Sequence, residues 1–214
     1  MRWLGIAGGA AALIALSPLA APQLLAFPYK AESEIGTVWS ERPIDTARLG
    51  AVAGETRALL AASPIAEPDE RRPVFLTDGG WRWLWLANTS RGGFGLTRPV
   101  SEAVIVNDAD VAANTVDNGS ATRTLSAILA HEFVHGIQRR RYGLGIALKP
   151  QWLTEGYADH VAQESTLSDG EAEAMMARGE NHPALSYWEG RKRVAAALEA
   201  NGGDVDALFT GDPE

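Results

Sequence analysis

The sequence predicts a single α+β domain, and three observations carry that prediction. Segments suited to short strands lie in the first half, between residues 35 and 106, whereas helix-length segments with apolar residues near the 3.6 period dominate from residue 122 onward. Clusters of Gly, Pro, Asn and Asp separate these segments. With 214 residues, 46% of them hydrophobic, the chain can bury one well-formed core.

The first element is an apolar run. After Arg2 no charge occurs until Lys30, and Trp3 to Phe27 is rich in Ala, Leu, Ile and Gly, which suits an export signal or membrane anchor within residues 1–30. Arg2 before the run and Glu32 and Glu34 beyond it would keep the amino terminus inside and make the rest extracytoplasmic, either periplasmic or secreted. A cut after Ala21 would leave Leu19 at the third position back, where a small residue belongs. Pro18 and Pro22 interrupt an uncleaved span, so the cleaved form and the form anchored by residues 3–27 both stay open.

Ile35 to Ser40 alternates like a short strand, and Asp45 caps a helix lined by Leu49, Val52, Thr56, Leu59 and Leu60. Ser63-Pro64 ends it, and Glu67 to Pro73 is a polar loop. Val74 to Thr77 reads as a buried strand before an Asp78-Gly79-Gly80 turn. Trp81, Trp83 and Trp85 alternate as in a strand; Arg82, Leu84 and Leu86 make no clean polar face, so a helix stays open. The three tryptophans read as core in preference to a ligand platform. Phe94 to Thr97 and Ala103 to Val106 are further strands, and Asn118-Gly119-Ser120 is a loop at a helix entry.

Thr122 to Tyr142 reads as one helix, with Leu125, Ile128, Leu129, Val134 and Ile137 near the 3.6 period and Gly143 as its stop. Arg139, Arg140 and Arg141 fall in its last turn, where solvated cations complement the helix dipole. The same helix carries His131-Glu132-Phe133-Val134-His135. Histidines four apart project from one face and can grip a single ion, and Glu132, rotated beside them, can accept a proton from zinc-bound water as general base. Chance alone gives such a pentapeptide in roughly one chain of this length and composition in two hundred, so its context decides.

A hydrolytic zinc site takes three protein ligands, and the chain has no cysteine. A second helix beginning near Pro150 carries Glu155 and Asp159 at a spacing of four, hence on one face. Glu155 would be the third zinc ligand, and Asp159 could accept the outer ring proton of a ligating histidine and fix its tautomer. The nineteen residues between His135 and Glu155 suffice for a helix end, a loop and a new helix.

These residues resemble the gluzincins, in which HExxH is followed some eighteen or more residues later by a glutamate ligand. Trp152 to Ala158, WLTEGYA, looks like the WLNEGFA signature of zinc aminopeptidases related to leukotriene hydrolase, with a spacing one residue longer. Glu155 and Asp159 are similar to the ligand and supporting acid of thermolysin-like enzymes. Tyr187-Trp188-Glu189-Gly190, with the helix that follows, resembles the YxxG helix whose tyrosine steadies the oxyanion, which gives that role to Tyr187. The likeness covers roughly residues 121 to 209. No GxMEN exopeptidase loop lies upstream, so endo- and exopeptidase action both stay open.

The resemblance implies a zincin-like fold over residues 31–214, with a small mixed sheet over the HExxH helix and a mainly helical carboxyl-terminal part. It implies Zn2+ as cofactor and a peptide or protein substrate, and a strand before the active-site helix that pairs with extended substrate as an exposed edge. The rival is a non-catalytic zinc-binding domain, structural or membrane-tethered for interaction, but a structural site needs a fourth protein ligand and has no use for Glu132.

Helices near Gly170 to Arg178 and Tyr187 to Ala200, an Asn201-Gly202-Gly203 break and a short turn over Asp204 to Phe209 complete the chain. His160 and His182 lack a partner at metal spacing and read as surface or capping residues. A net charge of −8 disfavours nucleic acid and anionic surfaces as partners, and the absence of cysteine excludes disulfides.

Overall fold

Val74–Leu76 (β3) and Val104–Val106 (β5) consist of β-branched and large apolar residues, and every one of them is buried. They can be apolar on both faces because helices cover both faces of the sheet they centre. The computed structural model, which describes residues 17–211, places them in a five-stranded sheet with Tyr29–Ser33 (β1), Gly36–Ser40 (β2) and Gly95–Thr97 (β4). The order is β1-β2-β3-β5-β4; β2, β3 and β5 run parallel, and β1 and β4 pair antiparallel at the two edges.

On one face Val38, Val74, Leu76, Val104 and Val106 meet helices Thr46–Ala61 (α1) and Leu125–Tyr142 (α3). On the other, Phe75 and Ile105 meet Trp83, Leu86 and Ala87 of the helix Trp81–Ala87 (α2), with Leu25 and Phe27 at the margin. A second, antiparallel sheet of Ala109–Asp110 (β6), Thr115–Asp117 (β7) and Thr122–Thr124 (β8) leads into α3. Beyond α3 come a 3-10 turn at Leu144–Leu148 and four helices: Gln151–Ala162 (α4), Asp169–Ala177 (α5), Pro183–Ala200 (α6) and Val205–Thr210 (α7). The architecture is α+β, as the sequence predicts.

Several elements differ from expectation. Of the two forms left open for the tryptophan segment it takes the helix, because Trp83, Leu86 and Ala87 together give one buried helical stripe, and against the reading of all three tryptophans as core, the helix turns Trp81 and Trp85 outward. The long helix starts at Leu125 and not Thr122, since the β-branched Thr122 and Thr124 pair with β7. Of the two strands expected before that helix, the interior one is Val104–Val106, and Gly95–Thr97 is the edge. The three terminal arginines of α3 are not merely solvated, as Arg139 donates to the Arg98 carbonyl, Arg140 pairs with Glu70 and Glu102, and Arg141 pairs with Asp206.

Residues 1–16 lie outside the described ones, so most of the apolar run Trp3 to Phe27 does too. Among the described residues no helix is long and apolar enough to cross a membrane.

Candidate metal centre

α3 is held with its polar stripe turned inward. Thirteen of its eighteen residues are buried, His131 and Glu132 among them. His131 and His135 lie on one face, with ring centroids 4.8 Å apart and Nε2 atoms 3.1 Å apart. α4 packs beside this face and presents Glu155: Oε2 lies 3.3 Å from His131 Nε2, and Oε1 lies 3.5 Å from His135 Nε2. These three residues form a group whose donor atoms all lie within 4.8 Å of one another and could hold a metal ion.

The position of α4 follows from two glycines of the singled-out motifs. A Cβ on Gly156 would lie 2.5 Å from the Gly190 carbonyl carbon, and one on Gly190 would lie 3.1 Å from the Trp152 oxygen, so α4 and α6 cross at backbone contact. Tyr157 adds a second tie, sharing a 2.7 Å hydrogen bond with Ser63 just past α1.

Each imidazole is oriented by its outer nitrogen. His131 Nδ1 is 2.8 Å from Oδ1 of the fully buried Asp159, one turn along α4 from Glu155. Arg123 on β8 donates to the same oxygen at 3.0 Å, while Oδ2 receives no protein donor. His135 Nδ1 lies 3.3 Å from Gln138 Oε1, and Gln138 Nε2 donates to the Thr154 carbonyl at 3.0 Å. With the amide so oriented, Nδ1 donates in both rings and both Nε2 atoms are turned towards Glu155.

The electrostatics favour positive charge at this point. Burial alone would lower the proton affinity of both rings, but Asp159 and Glu155 outweigh it and push His131 up to about 10; His135 is raised chiefly by Glu155. Burial would raise Glu155, yet the two histidines hold it well below the usual carboxylate range. Asp159 is likewise lowered, by His131 and Arg123 against its burial.

Glu132 is buried beside the cluster, against the edge strand. The Thr97 hydroxyl lies 2.7 Å from both Glu132 Oε2 and the Glu132 carbonyl, and a Cβ on Gly95 would lie 3.1 Å from Glu132 Oε1. The glycine therefore leaves the room that the carboxylate occupies. A cavity of about 310 Å³ opens along His135, Glu155, Arg139, Lys149 and Gln151. Gln151 also donates at 2.9 Å to the hydroxyl of Tyr187, which leaves that hydroxyl's own proton free. Burial, then the charge of Glu155, push the tyrosine's pKa up.

The structure thus brings His131, Glu132, His135, Glu155 and Asp159 together and sets Tyr187 beside them through Gln151. His182 caps α6 by accepting from Ala184 N, and His160 sits against the Tyr157 ring at the end of α4; neither belongs to the group. Sequence reasoning missed Thr97, Arg123 and Gln138. Only Gln138 carries a signal there, three residues beyond His135 on the same helix. No protein-family model, curated protein or solved structure matches the chain.

Proposed function

We propose that this protein is a zinc-dependent, gluzincin-like metallopeptidase with a zincin-like fold, acting on peptide substrates on the extracytoplasmic side of a membrane. The observation that carries the reading is the spacing of the donors. The 3.1 Å between the two Nε2 atoms and the 3.3 Å from His131 Nε2 to Glu155 Oε2 are close to the edge of a tetrahedron, and His135 Nε2 lies 3.5 Å from the other oxygen of the same carboxylate. For zinc bonds of ~2.0–2.1 Å that edge is roughly 3.3 Å. Two imidazoles, one carboxylate and no thiolate form a set that suits a catalytic zinc with one position left open.

A divalent ion held there would polarise a scissile carbonyl and acidify a water. The residues supply the rest. Glu132, fixed by Thr97, accepts the proton of the attacking water and returns it to the leaving amine. Asp159 and Gln138 keep both imidazoles in the tautomer with free Nε2. Tyr187 donates a hydrogen bond from its hydroxyl to the developing oxyanion and keeps its proton. β4 pairs on one side only, so its other edge can accept extended substrate next to Glu132.

The test compares the wild type with Glu132→Gln and His135→Ala for bound zinc and cleavage of an unbiased peptide library. Glu132→Gln keeps one zinc per chain and loses cleavage, whereas His135→Ala loses both. A wild type that binds no zinc overturns the site, and one that binds zinc but cleaves nothing overturns the peptidase.

A further inference from the structure

α2 is apolar on every side but one residue. Trp83, Leu86 and Ala87 face the sheet, while Trp81, Leu84 and Trp85, at i, i+3 and i+4, form the opposite stripe and are 57%, 46% and 45% exposed. A helix that is apolar all round is normally buried, and an exposed apolar patch marks a contact surface. Arg82 does not make the stripe polar. Its Nε donates to the Leu25 carbonyl at 2.8 Å, its NH1 pairs with Glu41 at 2.6 Å, and its guanidinium lies over the Trp81 ring.

Those bonds tie α2 to the 3-10 turn Pro22–Leu25, where Leu24 adds a side chain 60% exposed. Leu25 and Phe27 pack against the same cluster that buries Trp83, Leu86 and Ala87, and the Arg82 guanidinium lies over the Phe27 ring. Here the described chain emerges from the apolar run: no charged residue lies between Trp3 and Tyr29, and residues 3–16 of that run precede the described ones. A run of that composition entering a bilayer would bring this turn, and the stripe beside it, to the membrane surface. Tryptophan favours that layer, where its ring meets acyl chains and its N–H meets water. The chain's charge of −8 selects a neutral surface over an anionic one.

We propose that Trp81, Leu84 and Trp85, with Leu24, lie in the interfacial layer of a zwitterionic lipid bilayer and dock the domain against the membrane that the apolar run enters. The docking rests on the membrane part of the functional reading and not on the metal site. A second copy or a protein partner covering the stripe is the outcome against it.

The chain has no cysteine, so a single introduced thiol can carry a fluorophore in the otherwise unaltered 214-residue chain. Leu84→Cys and, as control, Ala196→Cys on the exposed side of α6 are labelled with nitrobenzoxadiazole and reconstituted into phosphatidylcholine vesicles with and without brominated acyl chains. Bromine quenches the label at position 84 severalfold more than the label at 196. Adding Trp81→Ser and Trp85→Ser to Leu84→Cys removes the difference, although the apolar run still holds the chain in the vesicle. Chain that floats with vesicles while both labels are quenched alike, or neither is, overturns the docking alone. Persistent quenching after the serine substitutions also overturns it, and failure to float overturns the membrane reading as well.

Discussion

The two flanks of α3 both bury charge, and they differ in how the charge is balanced. On the flank at Gly136, the Arg72 guanidinium fills the space a side chain would take, since a Cβ there would lie 1.7 Å from Arg72 NH1. Arg72 sits over the Phe133 ring, 3.1 Å from Glu70 and 3.0 Å from Glu102, and Arg140 pairs with the same two acids. Two cations are ion-paired with two anions, so the charge on this flank is balanced. On the histidine flank Asp159 pairs with Arg123, which Glu164 also shares, Glu132 feels the charge of Arg139, and Glu155 is ion-paired only with the two histidines among the described residues. Glu155 thus has no arginine or lysine ion pair among the described residues, which leaves a local deficit of positive charge, and the histidines' raised proton affinity is its consequence. Buried charge by itself is therefore no mark of a functional site, whereas buried charge that only an added cation can balance is one.

The largest expected effect breaks the balanced flank. Arg72→Met leaves Glu70 and Glu102 with Arg140 alone, which is half-exposed, and strands negative charge in the core. Removing one partner of a buried pair costs about 3–5 kcal/mol, so the urea midpoint of the metal-free protein falls accordingly. Zinc affinity of the folded fraction stays at the wild-type value. A parallel fall in zinc affinity would mean that the two flanks form one network.

Asp159→Asn acts on the histidine flank and gives the reverse pattern. Arg123 keeps Glu164, so the metal-free protein stays folded, while His131 loses the charged acceptor that fixes its tautomer. Loss of such a partner costs about 10–100-fold in metal affinity, measurable by competition with a chromophoric chelator. An unchanged affinity with a stability loss as large as that of Arg72→Met would assign Asp159 a purely structural role.

What the sequence made legible follows the range over which its signals act. His131, His135, Glu155 and Asp159 could be grouped because each pair sits four apart on one helix, and helical spacing is a local rule. Thr97 and Arg123 reach the site through strands β4 and β8, whose positions depend on pairing with distant segments, and nothing near them in the chain marks them. The α2 segment defeats periodicity for another reason: when all positions but Arg82 are apolar, periods of 2 and 3.6 fit equally well. β1 was hidden because it begins at Tyr29, beside the apolar run, and its sheet partner alone defines it. The α+β class survived these local errors because it rests on the order of strand-rich and helix-rich halves, which displaced boundaries do not alter.

The smallest effect separates the two histidines within their own flank. His131 is oriented by a charged carboxylate at 2.8 Å inside the core, His135 by a neutral amide at 3.3 Å nearer the rim. A hydrogen bond to a charged acceptor is roughly twice as strong as one between neutral groups, so Gln138→Leu should cost less zinc affinity than Asp159→Asn. The expected loss is about tenfold or below, with cleavage reduced in proportion to zinc occupancy and restored by excess zinc. Leucine keeps the volume beside Thr154 but releases the His135 ring to turn, so the change falls on orientation and not on packing. A loss matching that of Asp159→Asn would show that tautomer fixation, regardless of the charge behind it, sets the affinity of the site, and the charge deficit would then lose its explanatory role.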